Sequence, residues 1–405
     1  MKIAIGGSHQ MACNALSYLI ELGIDKKDIV VCKSNRDSEV NTWQRSLIFC
    51  AKKLEVDIVS LDKLYEVEDL LFFSLEFDQI IRTKKFKSAK FFNIHFSLLP
   101  KYKGMYTSCL PLLNGEHESG VTLHRIDDGI DTGEIVDQIS FPLPLTMNSF
   151  ELFNTYHLQG FDLFKRNIQQ ILIGQESSCP QSVLNSSYYP KGFVDFSQIN
   201  VDFKKTAFQI HNFIRAFSFR PYQLATIEDF KISHSKITSK RSISKPGEIT
   251  GNDPECCTYS TIDFDIELYP DRLDEILNAS AENNLNFIQK CGKNGYNFLE
   301  KNENGWDAGI VAAYNGAYDV LDYLLKQGYD PNSVNVNGTS VLMYAMTKAS
   351  ETGELKSMIR LISSGADLHH CDFNHISLKE YGNKQNNSTV VEFLERVNQP
   401  VKNTH

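Results

Sequence analysis

The sequence predicts an α/β protein with a Rossmann-like parallel sheet domain, then a small β-rich middle domain and an all-α repeat domain. Three observations indicate this order. Strand and helix patterns alternate up to residue 174, short strand patterns follow residue 217, and one set of markers recurs in the last third. Alternating strands and helices favour a parallel sheet covered by helices on both faces. The predicted domains are residues 1–185, 186–268 and 269–405.

The first domain begins with a short apolar strand pattern that stops at a pair of glycines. A helical pattern with a spacing near 3.6 residues follows and ends at Gly23. The opening glycines do not form the GxGxxG motif, so no dinucleotide cofactor is predicted. Further strands are predicted at 29–32, 57–61, 70–73 and 91–94, and helices at 43–53, 105–114 and 150–172.

The middle domain is predicted to contain a helix at 204–217 and short strands at 224–233, 235–242 and 247–250. Residues 186–252 hold ten basic and five acidic side chains, a local charge of +5 in an acidic chain. Because so few strands do not close a stable sheet alone, we predict that they pack against a second copy in a homodimer.

The last third carries a repeat. Gly295, Gly328 and Gly365 recur at spacings of 33 and 37, and the turns beginning at Asn304 and Asn337 keep the same spacing. A period of 33 with paired helices is typical of ankyrin repeats. The four extra residues of the second interval are expected within 349–354. Helices within 271–291 and at 389–397 would form the capping repeats.

Composition excludes several classes of protein. With 41 basic and 50 acidic side chains, the net charge of −9 gives no global attraction for nucleic acid or anionic lipid. The nine cysteines form no CxxC pair, which indicates a reduced protein. With no signal peptide or membrane-spanning run recognised, a cytoplasmic location is expected. No metal is predicted, because the histidines and cysteine at 369, 370, 371 and 375 lack zinc-ligand spacing.

Residues 91–140 carry the strongest chemical signal. Strand alternation places Asn93 and His95 on one face of a predicted strand end, and Asp131 lies in an acidic, glycine-rich loop. An amide, an imidazole and a carboxylate brought together can perform acyl transfer, because they donate to an oxyanion and move a proton. Taken singly, each motif is also compatible with an ordinary turn or an acidic loop. The loop spacing does not match an EF-hand.

The run NIHFSLLPKYKG, followed by GVTLH and then DxGIDTGEI, resembles the formyltetrahydrofolate-dependent formyltransferases over roughly residues 1–250. The resemblance implies a catalytic trio of Asn93, His95 and Asp131, with formyltetrahydrofolate as the formyl donor. Details around Trp43 and the segment 103–108 are most similar to the branch that acts on nucleotide-linked, dTDP-type amino sugars for surface polysaccharide, O-antigen or lipopolysaccharide, biosynthesis.

The resemblance also implies binding residues. The folate should lie, largely through main-chain contacts, along Ser74, Leu75, Glu76, Phe77, Asp78, Ile126, Asp127 and Asp128. Asp78 could equally cap a helix at residue 80. The sugar nucleotide is expected to contact Ser8, His9, Met105, Tyr106, Thr107, Arg215, Arg220 and Tyr222. Alternatively, the two arginines could border an aromatic core or dimer contact.

Trp306 follows a repeat turn at a position where ankyrin repeats expose variable side chains. It is predicted either to pack against a neighbour or to stack on a ligand ring, which would give the repeats a small-molecule or protein ligand. Two other functions remain open. A methionyl-tRNA formyltransferase would share the trio, but residues 271–400 carry a net charge of −6, which disfavours tRNA. A non-catalytic adaptor would not require the complete trio.

Overall fold

The computed structural model describes residues 1–228, 230–384, 390 and 392–393. The chain forms two compact units, and the second begins at Arg272. In the described part, no helix is long and apolar enough to cross a membrane, and no group of three or more His, Cys, Asp or Glu side chains could hold a metal ion.

The strands are β1 (Lys2–Gly7), β2 (Ile29–Lys33), β3 (Asp57–Val59), β4 (Leu70–Leu75), β5 (Ala89–His95), β6 (Lys103–Gly104), β7 (Glu118–Arg125), β8 (Ile135–Pro142), β9 (Tyr188–Tyr189), β10 (Thr226–Ile227), β11 (Phe230–Arg241), β12 (Ile249–Asn252), β13 (Cys257–Tyr259) and β14 (Phe264–Pro270). The helices are α1 (His9–Glu21), α2 (Leu47–Leu54), α3 (Leu61–Leu64), α4 (Leu110–Leu113), α5 (Ser149–Leu172), α6 (Ala207–Phe217), α7 (Leu273–Ala281), α8 (Leu285–Asn294), α9 (Ala308–Asn315), α10 (Tyr318–Lys326), α11 (Val341–Thr352), α12 (Lys356–Ser363) and α13 (Leu378–Lys384).

The first unit is built on a seven-stranded sheet in the order β3-β2-β1-β4-β5-β7-β8. Strands β1 to β5 are parallel, as the alternating pattern predicts. The last two strands, β7 and β8, are antiparallel to their neighbours. All six residues of β4 are buried, as expected for a central strand covered on both faces. The predicted α/β fold class is confirmed.

The two glycines that end β1 are explained by close packing. A Cβ atom on Gly6 would collide with the Phe72 ring, and one on Gly7 would collide with the Leu75 carbonyl group. Small residues are therefore required where β1 lies against β4. This is a packing role, consistent with the absence of a dinucleotide motif.

Two helices are shorter than the sequence predicts. Helix α2 begins at Leu47 instead of residue 43, because the Ser46 side chain accepts the Phe49 N–H and caps the helix there. The helix expected at 105–114 is reduced to α4. Tyr106 has a φ of 65°, a left-handed conformation that a helix does not continue through. As a result, residues 43–46 and 105–109 lie in loops instead of helices.

The antiparallel part of the first unit is a five-stranded sheet in the order β10-β11-β14-β13-β12. The strands predicted at 224–233 and 235–242 are largely one long strand, β11, preceded by the short β10. Its main partner is β14, at the end of the unit and outside the predicted strands. Buried residues such as Ile232 and Leu268 join this sheet to the core of the first unit.

The second unit consists of antiparallel helix pairs joined by turns. Asn302, Asn335 and Asp372 recur at the spacings of 33 and 37, and each side chain accepts two backbone N–H groups of its turn. This shared turn produces the repeat seen in the sequence. The extra residues of the second interval lengthen α11 to twelve residues, against eight in α9. The helix predicted at 389–397 lies, apart from three positions, outside the described residues.

Candidate active site

The predicted trio lies at the carboxyl end of the sheet. Asn93 and His95 are on β5, and Asp131 is in the loop between β7 and β8. Asn93 is paired across the strands with His124 of β7. Because crevices at the carboxyl ends of parallel strands are the usual ligand sites of open α/β sheets, this edge is the expected location for chemistry.

Asp131 occupies the middle of the cluster. One carboxylate oxygen lies 3.5 Å from His95 Nδ1 and accepts the Gly104 N–H at 2.8 Å. The other oxygen lies 3.6 Å from His124 Nε2. Burial opposes ionisation of Asp131, but the His95 and His124 rings, in their protonated forms, and the Gly104 N–H outweigh it and hold its pKa well below the usual range. The site therefore contains a fixed negative charge.

Asp131 is also held in an uncommon backbone conformation, with a φ of 54°. The left-handed region costs an L-residue about 1–2 kcal/mol, although Asp and Asn tolerate it better than most. The Gln181 side-chain amide donates to the carbonyl oxygens of Asp131 and Gly133 at 2.8 and 2.7 Å, which holds the loop. Strain of this kind is concentrated at functional sites.

Both ring nitrogens of His95 face groups of the protein. Nε2 lies 2.8 Å from the Tyr102 carbonyl oxygen. A carbonyl only accepts, so Nε2 carries a hydrogen. In the neutral ring the Nδ1 lone pair then faces Asp131. A proton placed on Nδ1 would be stabilised by the Asp131 carboxylate.

His124 is the residue of the cluster that sequence reasoning missed. Its Nδ1 lies 2.8 Å from the Arg125 carbonyl oxygen, so Nδ1 donates and Nε2 accepts from the Asn93 amide at 3.0 Å in the neutral ring. This contact uses one amide hydrogen of Asn93 and leaves the second for a ligand oxygen. The signal was present in the sequence, because His124 ends the quoted GVTLH strand, but its pairing with Asn93 depends on strand register.

A cavity of about 480 Å³ is lined by residues that follow β1, β4 and β5, while Asn93, His95, His124 and Asp131 are not among its lining residues. Of the predicted substrate residues, His9, Tyr106, Thr107 and Tyr222 line it. Phe96, which directly follows His95, also contributes to its wall. The cavity is large enough for a ligand of nucleotide size.

Three further lining residues were not predicted as contacts: Arg36, Trp43 and Gln44. The Trp43 ring lies in an aromatic group, with centroid distances of 5.5 Å to Phe219 and 5.4 Å to Tyr222. Arg36 is exposed, and no bond of its guanidinium group is found among the described residues. One part of the cavity thus offers aromatic faces and a free cation.

The two arginines predicted to bind phosphate have protein partners instead, and neither lines the cavity. Arg215 is buried and donates to Asn212 and to the carbonyl oxygens of Pro144 and Met147. Arg220 forms a bidentate ion pair with Asp271 at 2.8 Å. Both guanidinium groups are engaged within the fold, although Arg215 Nη2 has no hydrogen-bond partner among the described residues, and neither arginine lines the cavity.

The remaining predicted substrate residues, Ser8 and Met105, hydrogen-bond to the backbone of neighbouring segments. Ser8 is buried, and its N–H and hydroxyl donate to the carbonyl oxygens of Leu75 and Glu76. The Met105 N–H donates to the Tyr189 carbonyl oxygen. Neither residue lines the cavity, so we expect them to position the strand ends.

The predicted folate edge runs past the end of β4. Ser74 and Leu75 are buried within the strand. The Glu76 side chain lines the cavity, and Phe77 packs with Phe72 at a centroid distance of 5.8 Å. Asp78 accepts the Asn35 N–H at 3.1 Å, and no helix begins at residue 80. The alternative in which Asp78 caps a helix is therefore wrong.

The second half of the predicted folate edge is the loop after β7. The Ile126 N–H donates to the Phe91 carbonyl oxygen. Asp127 accepts from Gly129 and Thr132 within its own loop, and Asp128 accepts from Thr83 and pairs with Lys84 at 2.6 Å. Since both carboxylates have protein partners, this loop offers mainly its backbone to a ligand.

Comparison with known proteins shows which family has this arrangement. Residues 76–164 match the formyl transferase model, residues 196–269 match the formyl transferase C-terminal domain, and residues 276–372 match ankyrin repeats in three copies. The crystal structure of WlaRD, a sugar 3N-formyl transferase with dTDP and 5-N-formyl-THF, is 42% identical with a TM-score of 0.63. The match covers 67% of this chain and 97% of that one. The chain belongs to the formyl transferase family.

Other relatives of this formyl transferase family member differ in substrate. An N-formyltransferase from Helicobacter canadensis, in complex with folinic acid and dTDP-3-aminofucose, is 40% identical with a TM-score of 0.62 and is matched over its whole length and 67% of this chain. The methionyl-tRNA formyltransferase of Clostridium beijerinckii is 30% identical over 49% of this chain. The chain spans 62–66% of the length of this and two further curated relatives.

The aromatic residue predicted as a second ligand contact lies in the ankyrin unit. Trp306 is half-buried and makes edge contacts with Tyr314 and Tyr344, each at a centroid distance of 5.1 Å. It also packs against a small cluster that contains Leu273 and Leu277. These contacts agree with the alternative in which Trp306 packs against neighbouring residues. Tyr314 is 41% exposed, so the aromatic group formed by Trp306, Tyr314 and Tyr344 is partly open to solvent.

Proposed function

We propose that this protein transfers a formyl group from formyltetrahydrofolate to the amine of a nucleotide-linked amino sugar, with dTDP as the nucleotide. The reaction would serve surface polysaccharide biosynthesis. The observation that carries the proposal is the cavity lined by residues just after β4 and β5, which combines aromatic walls with the free cation Arg36. Two relatives at 40% identity or more are described with dTDP or a dTDP-amino sugar.

The chemistry of the cavity favours such a substrate. Trp43, Phe219 and Tyr222 provide aromatic faces against which a base can pack. Arg36 is suited to the diphosphate, since guanidinium groups pair strongly with phosphate oxygens. With the nucleotide at these residues, the sugar extends toward His9 and Phe96, and its amine can approach the catalytic cluster.

In the transfer itself, a neutral amine attacks the formyl carbon, which the folate supplies, and the carbonyl oxygen becomes an oxyanion. Asn93 donates its second amide hydrogen to that oxygen, while His124 fixes the orientation of the amide. Loss of one such donor typically costs about 10²–10³ in rate.

The amine must also lose a proton. Asp131 stands between the reacting region and His95 Nδ1. Because its pKa is held low, the carboxylate is a weak base by itself. We therefore assign it the role of passing the proton to His95 and stabilising the imidazolium that forms. The tetrahedral intermediate then collapses: the formyl C=O re-forms, the bond between the formyl carbon and the folate nitrogen breaks, and that nitrogen takes the proton back from His95 through Asp131.

The backbone of the folate edge suits a pterin. Asp127 and Asp128 are engaged by protein groups, so the loop 126–128 is preformed and presents its main chain. Polar edges of a pterin would bond to that main chain and to residues 76–78. The formyl-bearing nitrogen would then lie toward Asn93 and Asp131.

A substrate panel tests the proposal. Wild-type protein with formyltetrahydrofolate should formylate a dTDP-amino sugar, detected by mass spectrometry as a gain of one formyl group, and should leave methionyl-tRNA unmodified. Arg36→Ala should raise the KM for the sugar nucleotide about 10- to 100-fold. Arg166→Ala, which removes an exposed arginine of α5 outside the cavity, is the matched control.

The alternatives predict different products. Formylation of methionyl-tRNA without sugar formylation would identify a tRNA enzyme, the class to which several curated relatives belong. No transfer to either acceptor, with folate and nucleotide binding intact, would support a non-catalytic adaptor. Either result would overturn the sugar proposal.

A further inference from the structure

Two adjacent strand ends place strained residues in the wall of the cavity. His9 follows β1 with a φ of 68°, and Glu76 follows β4 with a φ of 61°. Both side chains line the cavity. Two non-glycine residues in the left-handed region at neighbouring positions are unfavourable unless the surrounding fold imposes them. The fold therefore directs an imidazole and a carboxylate to this part of the cavity.

The Glu76 carboxylate is poorly satisfied by the protein. Its Oε2 atom lies 3.0 Å from His157 Nε2, which is ion-pair distance but outside hydrogen-bond geometry. His157 Nδ1 accepts the Met11 N–H, so Nε2 carries the hydrogen in the neutral ring. Apart from the His157 contact, no donor to the Glu76 carboxylate is found among the described residues. A carboxylate accepts up to about four hydrogen bonds, so further donors are expected from a ligand.

The charge of Glu76 is maintained despite this setting. Burial acts to raise its pKa, but the nearby His157, His9 and Arg36 outweigh burial and lower the pKa. An ionised carboxylate that lines a cavity beside His9 and has a single protein partner in His157 is a candidate functional position.

Strand register locates Glu76 relative to the catalytic cluster. Ser74 of β4 is paired with Asn93 of β5. Glu76 directly follows the last residue of β4, and His95 is the last residue of β5. Neighbouring strands are about 4.8 Å apart, so a pyranose ring at Glu76 could reach the cluster with an adjacent substituent.

We propose that Glu76 accepts hydrogen bonds from the sugar hydroxyls next to the reacting amine and so positions the ring for formyl transfer. The inference rests on the proposed function. Diphosphate is an unsuitable partner, because two anions repel each other. The amine is already assigned to Asp131, which passes its proton to His95.

The test uses a dTDP-3-amino sugar and its 2-deoxy and 4-deoxy analogues, which lack one flanking hydroxyl each. The wild type should lose about 10- to 100-fold in kcat/KM on at least one analogue, because a hydrogen bond to a charged group is lost. Glu76→Gln should show a similar loss on the full substrate and little further loss on that analogue. Its affinity for dTDP alone, measured by calorimetry, should not change.

Glu118→Gln is the matched control, because it removes a carboxylate at an exposed position on β7. Glu76→Asp retains the charge but withdraws it by one methylene, and it should resemble Glu76→Gln if contact rather than charge matters. Thermal unfolding of each variant checks the fold. Should no Glu76 variant fold, the wild-type comparison remains: equal activity on the full and deoxy substrates overturns the proposed role of Glu76.

The outcomes separate the two proposals. A wild type that formylates the full and both deoxy substrates equally well overturns the role of Glu76 and leaves the proposed function standing. If wild type and Glu76→Gln discriminate equally between the full and the deoxy substrates, the role of Glu76 is likewise overturned and the proposed function stands. A wild type that formylates no sugar nucleotide overturns the proposed function, and the inference with it.

Discussion

Replacement of Asp131 by Asn provides a direct test of the catalytic arrangement. Asn tolerates the left-handed backbone of this position, so the loop should keep its shape. What disappears is a negative charge 3.5 Å from His95 Nδ1 and 3.6 Å from His124 Nε2. The side chain of Asp131 is 14% exposed, so solvent screens the charge only in part.

The size of the effect follows from that distance. At an effective dielectric constant near 20, a charge pair about 4 Å apart contributes roughly 4 kcal/mol. If His95 carries the amine proton in the transition state, loss of the Asp131 charge should lower kcat about 10³-fold. The KM for the sugar nucleotide should change little, because the aromatic residues and Arg36 are untouched.

Steady-state assays of Asp131→Asn, with Glu134→Gln as a carboxylate control beyond the cluster, measure this effect. A kcat within about threefold of the wild type, in a variant with normal thermal unfolding, would refute the assignment of proton transfer to the Asp131–His95 pair. His95→Ala at near wild-type turnover would do the same. Asn93→Ala should cost about 10²–10³ in kcat through the lost oxyanion donor.

The same variant gives a stability test with a defined sign. The pKa of Asp131 is lower in the folded protein than its unfolded value near 4. Its stabilising contribution is therefore complete above about pH 4 and is lost as the pH falls further. The difference in unfolding free energy between wild type and Asp131→Asn should be constant from about pH 5 to 8 and shrink below about pH 4.

Three further predictions concern the rest of the chain. Asp307→Ala should destabilise the ankyrin unit by about 2–4 kcal/mol in urea unfolding, since the buried carboxylate accepts from Tyr329, Ser333 and the Ile310 N–H; an unchanged midpoint would contradict this. For the predicted ligand role of Trp306, calorimetry with a dTDP-amino sugar should reveal a second site that Trp306→Ala loses; one site of equal affinity in both proteins would leave packing as its role. The homodimer is predicted because the middle strands are few, but they form a five-stranded sheet within the chain; light scattering at micromolar concentration tests it, and a purely monomeric species would exclude it.

Local sequence patterns determined the strand ends and the repeat. Side chains alternate along a strand, so Asn93 and His95 share a face whatever the rest of the fold does. Likewise, the side-chain oxygens of the turn residues Asn302 and Asn335 accept backbone N–H groups within four residues, which is why their spacing is visible in the sequence. Interactions of this range need no knowledge of tertiary structure.

The tertiary structure decided the contacts that join distant segments. His124 meets Asn93 through the register of β5 and β7, and Trp43 and Arg36 reach the cavity because their loop packs beside α5 and residues 219–222. Arg220 is occupied by Asp271, 51 residues away, so a side chain suited to phosphate is neutralised within the fold. Sequence shows which groups a residue carries. Whether those groups stay free for a ligand depends on which partners folding brings within hydrogen-bond distance.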